Sequence, residues 1–95
     1  MTAVDFMQEC EQYLHSWCCT RTGKYLPVNT QEVRTILMDF VFKGSKNPIQ
    51  EFKDKVEAGE IVLSTYAFAL SRDVQEQLYK NHCENVKNFE KKYKI

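Results

Sequence analysis

The side chains in this sequence best suited to chemistry are four cysteines and two histidines, which serve as zinc ligands, nucleophiles or bases. They are Cys10, His15, Cys18, Cys19, His82 and Cys83. Zinc ligands usually come in pairs two to four residues apart, whereas here the pairs are adjacent in sequence. The side chains of adjacent residues on a helix point about 100° apart, so two such neighbours cannot easily bind the same tetrahedral ion. We therefore expect no metal ion; the alternative is a site of Cys10, Cys18 and His82 between the first and last helices.

The cysteines could have two other roles: they could form a disulfide bond, or one of them could act as a catalytic nucleophile. Cys10 or Cys18 could pair with Cys83, but the absence of a secretory leader indicates a reducing compartment with free thiols. Cys19 is predicted to be the most exposed and reactive because it lies off the apolar stripe of its helix. Catalysis needs a base beside the thiol, and no nucleotide-binding, hydrolase or metalloprotease motif occurs in the sequence. We expect neither enzymatic activity nor a cofactor.

A docking surface is predicted in the loop after the first helix, where a glycine and a proline interrupt the helical period. Arginine and tyrosine are frequent interface anchors, and a loop stiffened by proline loses less entropy on binding. The candidate partner-binding residues are Arg21, Lys24, Tyr25, Leu26 and Pro27. The bond before Pro27 could be cis or trans, and its isomerisation could gate recognition.

The C-terminal segment offers an alternative function, binding of nucleic acid. Residues 80–95 carry five lysines and two glutamates, interleaved with aromatic side chains that could stack on bases. The candidates are Lys87, Lys91, Lys92 and Lys94. The simpler interpretation is that lysines favour the negative end of a helix dipole, and the segment has no arginine for bidentate base recognition.

The elements that must position these residues are helices. Apolar spacing predicts a first helix over residues 5–17 and a loop over residues 20–29. A second helix is predicted to start at an Asn29 cap, with Glu32 returning to the cap's backbone amide, and to stop at Gly44. Asn47 and Pro48 mark the start of a third.

The third helix is predicted to stop at Gly59, and a long last helix to open with the capping pair Asp73 and Glu76. The intervening residues 60–72 form an apolar run rich in β-branched and aromatic residues that fits a helix or a strand, and alanine content favours the helix. The sequence therefore predicts an all-α, bundle-like single domain over residues 1–95 with four or five helices. The alternative is an α+β domain with one short two-stranded ribbon.

Composition restricts the class of partner. Thirteen cationic and thirteen anionic side chains cancel, so no overall field draws the chain to nucleic acid or an anionic membrane. No apolar run is long enough to span a membrane, and we expect a cytoplasmic protein.

In size, helical make-up and lack of a catalytic motif, the chain resembles small phage-encoded accessory proteins that bind a host enzyme, such as the anti-RecBCD and anti-CRISPR proteins. The resemblance implies an inhibitor or modulator of a larger protein, such as a nuclease or helicase that processes nucleic acid. It carries over no functional residue. We therefore predict a protein-protein interaction module, with the Lys-rich nucleic-acid binder as the alternative.

Overall fold

Residues 3–65 and 69–94 are described by the computed structural model, with side chains from Asp5 onward. Within these ranges the chain forms four helices and no β-strand. They are α1 (Ala3–Thr20), α2 (Thr30–Phe42), α3 (Pro48–Glu57) and α4 (Arg72–Tyr93). The predicted all-α, bundle-like fold is confirmed. Among the described residues, no helix is both long enough and apolar enough to cross a membrane.

The core is organised around α1, which contacts each of the other three helices. Helical spacing puts an apolar stripe on one face of α1, made of Phe6, Cys10, Leu14, Trp17 and Cys18. Cys10, Leu14 and Cys18 are buried, and Tyr13 joins them with 1% of its surface exposed. Phe6, the first residue of this stripe, is 39% exposed, so the buried part of the stripe begins one turn later, at Cys10. The other helices contribute Val33, Leu37, Phe40, Phe52, Val56 and Phe89 to the same core.

The caps of α2 and α3 are formed by the predicted asparagines. The side chain of Asn29 accepts the amide of Gln31 at 2.8 Å, and that of Asn47 accepts the amide of Gln50 at 3.2 Å. The predicted role of Glu32 is wrong. Its carboxylate accepts the backbone amide of Ser64 at 2.8 Å and the Ser64 hydroxyl at 3.1 Å, because the segment after α3 runs beside the first turn of α2.

The predicted helix over residues 60–72 is also wrong in the part the structure describes. Residues 60–65 and 69–71 are not helical, and residues 66–68 lie outside the described ranges. Gly59 has a φ of 77°, which ends α3, and the amide of Asn29 donates to the Ser64 carbonyl at 3.4 Å. Among the described residues, one isolated antiparallel bridge joins Val28 to Thr65 in place of the two-stranded ribbon of the alternative fold. These contacts with the α1–α2 loop and α2 hold Ser64 and Thr65 beside the start of α2.

The N-cap of the last helix lies two residues before the predicted cap, Asp73. Ser71 is the N-cap, and its hydroxyl accepts the amide of Val74 at 3.3 Å. Asp73 lies within the first turn, where a negative charge is favourable. The helix then runs along α1 and brings His82 and Asn85 to the end of α1 that leads into the loop.

Candidate functional site

The loop between α1 and α2 is held against the last turns of α1. The amide of Leu26 donates to the Cys19 carbonyl at 2.8 Å, and Nε2 of His15 donates to the Val28 carbonyl at 2.8 Å. A carbonyl oxygen only accepts, so His15 carries a proton on Nε2 in this arrangement. The loop is therefore a fixed part of the surface.

The five predicted partner-binding residues differ in exposure. Arg21 and Lys24 are exposed, whereas Tyr25, Leu26 and Pro27 are half-buried. The Tyr25 ring lies parallel to the His82 ring at 5.8 Å between centroids, with an interplanar angle of 4°. Burial raises the pKa of Tyr25. No peptide bond is cis within the described ranges, so the bond before Pro27 is trans.

One cleft, which we call the apolar cleft, lies between the loop and the segment after α3. Its volume is 210 Å³. Val62, one of its lining residues, is 86% exposed, which is unusual for a large apolar side chain. The lining residues are Cys18, Arg21, Leu26, Val28, Val56, Gly59, Ile61, Val62, Leu63 and Thr65.

A second cleft, which we call the basic cleft, lies between the loop and the first half of α4. Its volume is 410 Å³. The lining residues are Gly23, Lys24, Tyr25, Arg72, Gln75, Glu76, Tyr79 and Lys80. Three cations and one anion therefore surround it, together with two aromatic rings. The loop separates the two clefts and contributes predicted residues to each.

Behind the loop, α1 and α4 bring together His15, Cys19 and His82, which we call the Cys-His cluster. One potential metal-ligating atom from each residue lies within 4.8 Å of the others, and Sγ of Cys19 is 3.5 Å from Nε2 of His15. Nδ1 of His82 is hydrogen-bonded to the Ser16 hydroxyl at 2.9 Å, and the Asn85 amide donates to that hydroxyl at 3.3 Å. This cluster was not predicted from the sequence, although His15 and Cys19 are four residues apart and therefore share a helix face.

The prediction of an exposed, reactive Cys19 is wrong, because the thiol is 0% exposed beneath the folded-back loop. Burial raises the pKa of Cys19, and a hydrogen bond from the Val28 backbone acts in the opposite direction without cancelling this effect. Burial also raises the pKa of Cys10 to about 11 and that of Cys18 to about 12. The pKa of His82 is lowered by burial and then by His15. All four cysteines are free, and the three buried thiols are protonated at neutral pH.

The alternative nucleic-acid residues lie elsewhere, on the last turns of α4 and at its C-cap. Lys87, Lys91, Lys92 and Lys94 are all exposed. Lys92 forms an ion pair with Glu9 of α1 at 3.0 Å. At least one of these four lysines thus helps to hold α4 on α1.

Comparisons with protein-family models, with curated proteins and with solved structures found no match to this chain. Fold and site together define it as a small all-α protein with two clefts on either side of one anchored loop.

Proposed function

We propose that this protein is an interaction module whose α1–α2 loop and flanking clefts bind an extended segment of a larger protein. The observation that carries the proposal is the position of the predicted residues. Arg21 and Leu26 line the apolar cleft, and Lys24 and Tyr25 line the basic cleft. A segment lying across the loop would contact both.

The apolar cleft supplies the anchor site in this proposal. Val62 exposes 86% of its surface, and Ile61 and Leu63 beside it are partly buried against the core. Covering an exposed valine side chain contributes about 1.5 kcal/mol or more, so one bulky apolar side chain in this cleft would be a major source of affinity. The loop wall is already held by its bonds to α1, so little ordering entropy is lost on binding.

Charge specifies the rest of the ligand. The chain as a whole is neutral, yet cations outnumber anions around the two clefts. The cations are Arg21, Lys24, Arg72 and Lys80, and the anion is Glu76. The ligand we propose is therefore a protein segment that carries carboxylates around an apolar anchor.

The resemblance to phage accessory proteins suggests an inhibitor or modulator of a nucleic-acid-processing enzyme, and this is the class of partner we propose. An acidic segment on a nuclease or helicase would meet the charge requirement. We also propose that the protein works in the cytoplasm, since four free thiols suit a reducing compartment.

A matched pair of double variants tests the surface. Arg21→Glu with Val62→Asp changes two residues that line the apolar cleft, whereas Phe42→Asp with Lys46→Glu makes the same change of charge outside the linings of both clefts. Phe42 is 81% exposed, so the control also replaces an exposed apolar side chain. Both variants should keep the far-ultraviolet circular dichroism of the wild type.

The probe is a labelled peptide in which aspartates flank leucine and phenylalanine, measured by fluorescence anisotropy. The first variant should weaken binding by roughly tenfold or more, and the control should stay within about twofold. A peptide with lysine in place of aspartate should not bind. Equal binding by both variants, or by both peptides, would refute the proposed surface. The same variants then test a partner purified from cell extract.

The lysines of α4 carry the second candidate, binding of nucleic acid. Its support is the exposure of Lys87, Lys91 and Lys94 on one short stretch of chain. Such binding would fall steeply between about 50 and 200 mM salt, because counterions released from phosphate drive it. Anisotropy with labelled single-stranded DNA at both salt concentrations tests this function, and salt-independent or absent binding would reject it.

A further inference from the structure

We propose that the Cys-His cluster binds one zinc ion through His15, Cys19 and His82. The ligand types suit zinc, which accepts imidazole nitrogen and thiolate sulfur. The proposal departs from the sequence-based expectation of no metal, and its test does not require the docking surface to bind a partner.

The spacing of the ligand atoms supports this assignment. Zinc bonds of about 2.3 Å to sulfur and about 2.0 Å to nitrogen, set at a tetrahedral angle, place those two ligand atoms about 3.5 Å apart. Sγ of Cys19 and Nε2 of His15 are 3.5 Å apart. His82 completes a set whose ligand atoms are all within 4.8 Å of one another, so a small side-chain movement would bring three ligands onto one ion.

The surroundings of His82 resemble the supporting contacts of metal-bound histidines. Such a histidine usually uses one ring nitrogen for the metal and holds the other by a hydrogen bond. The Ser16 hydroxyl is 2.9 Å from Nδ1 of His82 and is itself held by Asn85. Ser16 is only 1% exposed. With a proton on Nδ1 donated to Ser16, Nε2 of His82 is left with its lone pair for zinc.

Binding of zinc releases one proton from the site and moves another within it. Zinc displaces the thiol proton of Cys19, which leaves to solvent, and both imidazoles stay neutral. His15 now donates Nε2–H to the Val28 carbonyl, so coordination through Nε2 moves that proton to Nδ1 and breaks the bond to the loop. Three protein ligands leave the fourth position for water.

The test uses metal-free wild-type protein and cobalt as a spectroscopic substitute. One equivalent of Co²⁺ should give thiolate charge-transfer absorption and the intense visible bands of a tetrahedral ion, and Zn²⁺ should displace it. Mg²⁺, which prefers oxygen ligands, should not compete. A wild-type spectrum lacking the charge-transfer band, or competition by Mg²⁺, would overturn the proposal without any variant.

Four variants locate the site. Cys19→Ser should abolish the charge-transfer band, whereas Cys18→Ser and Cys83→Ser, each adjacent to a proposed ligand, should retain it. Ser16→Ala should weaken zinc binding by roughly 10- to 100-fold, measured against a chromophoric chelator. A band that survives Cys19→Ser, or is lost in a folded Cys18→Ser, would place the metal elsewhere and overturn the assignment.

Discussion

The hydroxyl of Tyr13 lies where α1, α3 and α4 meet, and Tyr13→Phe removes it while keeping the ring. The hydroxyl donates to Oε2 of Glu90 at 2.8 Å and accepts a hydrogen bond from Lys53. The ring, which the variant preserves, stacks on Phe89 at 4.3 Å between centroids. The variant therefore isolates the polar contribution at this junction.

Burial and charge set the expected magnitude. Tyr13 is 1% exposed, and a hydrogen bond to a charged group contributes about 1.5 to 3 kcal/mol. The side chain of Glu90 is 36% exposed, so water compensates part of the loss and the lower end applies. We expect a loss of about 1.5 kcal/mol, which lowers the Tm of a domain this size by roughly 6 to 12 °C.

Urea and thermal unfolding followed by circular dichroism measure this loss, and a double-mutant cycle with Glu90→Gln assigns it to the pair. The coupling energy should be about 1 kcal/mol. The control is Tyr25→Phe, which removes a hydroxyl from a half-buried ring that also packs on α4. It should change the free energy of unfolding by less than about 0.5 kcal/mol. A Tyr13→Phe protein as stable as the wild type, or a coupling near zero, would refute the proposed role of this junction.

Two further predictions concern acid and thiol chemistry. Hydrogen bonds from Tyr93 and Lys92 lower the pKa of Glu9, so its contribution to stability is present above the usual glutamate pKa of about 4.3 and is lost as the pH falls below it. The Tm of the wild type should therefore fall more steeply than that of Glu9→Gln between about pH 5 and pH 3, and parallel curves would contradict this. Cys83 should be the one thiol that reacts promptly with a thiol reagent under native conditions, because the other three cysteines are at most 3% exposed. Prompt labelling of two or more thiols would count against the described packing.

The parts of the fold that sequence predicted correctly are those fixed by neighbouring residues. Asn29 and Asn47 cap their helices within three residues along the chain, and Gly44 has the positive φ of 79° expected of a terminator. The run over residues 60–72 failed because its apolar content fits several backbones. Its conformation depends on Glu32, which bonds to Ser64 across the fold.

The candidate docking site stays a prediction, and sequence alone indicates only the residue types in it. The loop residues could be selected by type, and two clefts bring four of them to one surface. The Cys-His cluster could not be predicted from the sequence, because His82 joins it only when α4 packs on α1. Cys19 was placed on the exposed side by helical period alone, and the loop that buries it is held by a backbone hydrogen bond that no side-chain pattern reveals.

The most direct test of the docking proposal is a nuclear magnetic resonance titration of isotope-labelled protein with the aspartate-leucine-phenylalanine peptide. We predict that amide shifts change at Arg21, Lys24, Leu26 and Val62, and that the lysine-containing control peptide leaves these amides unchanged. Shift changes confined to the last turns of α4, or a spectrum unaltered at saturating peptide, would contradict the account.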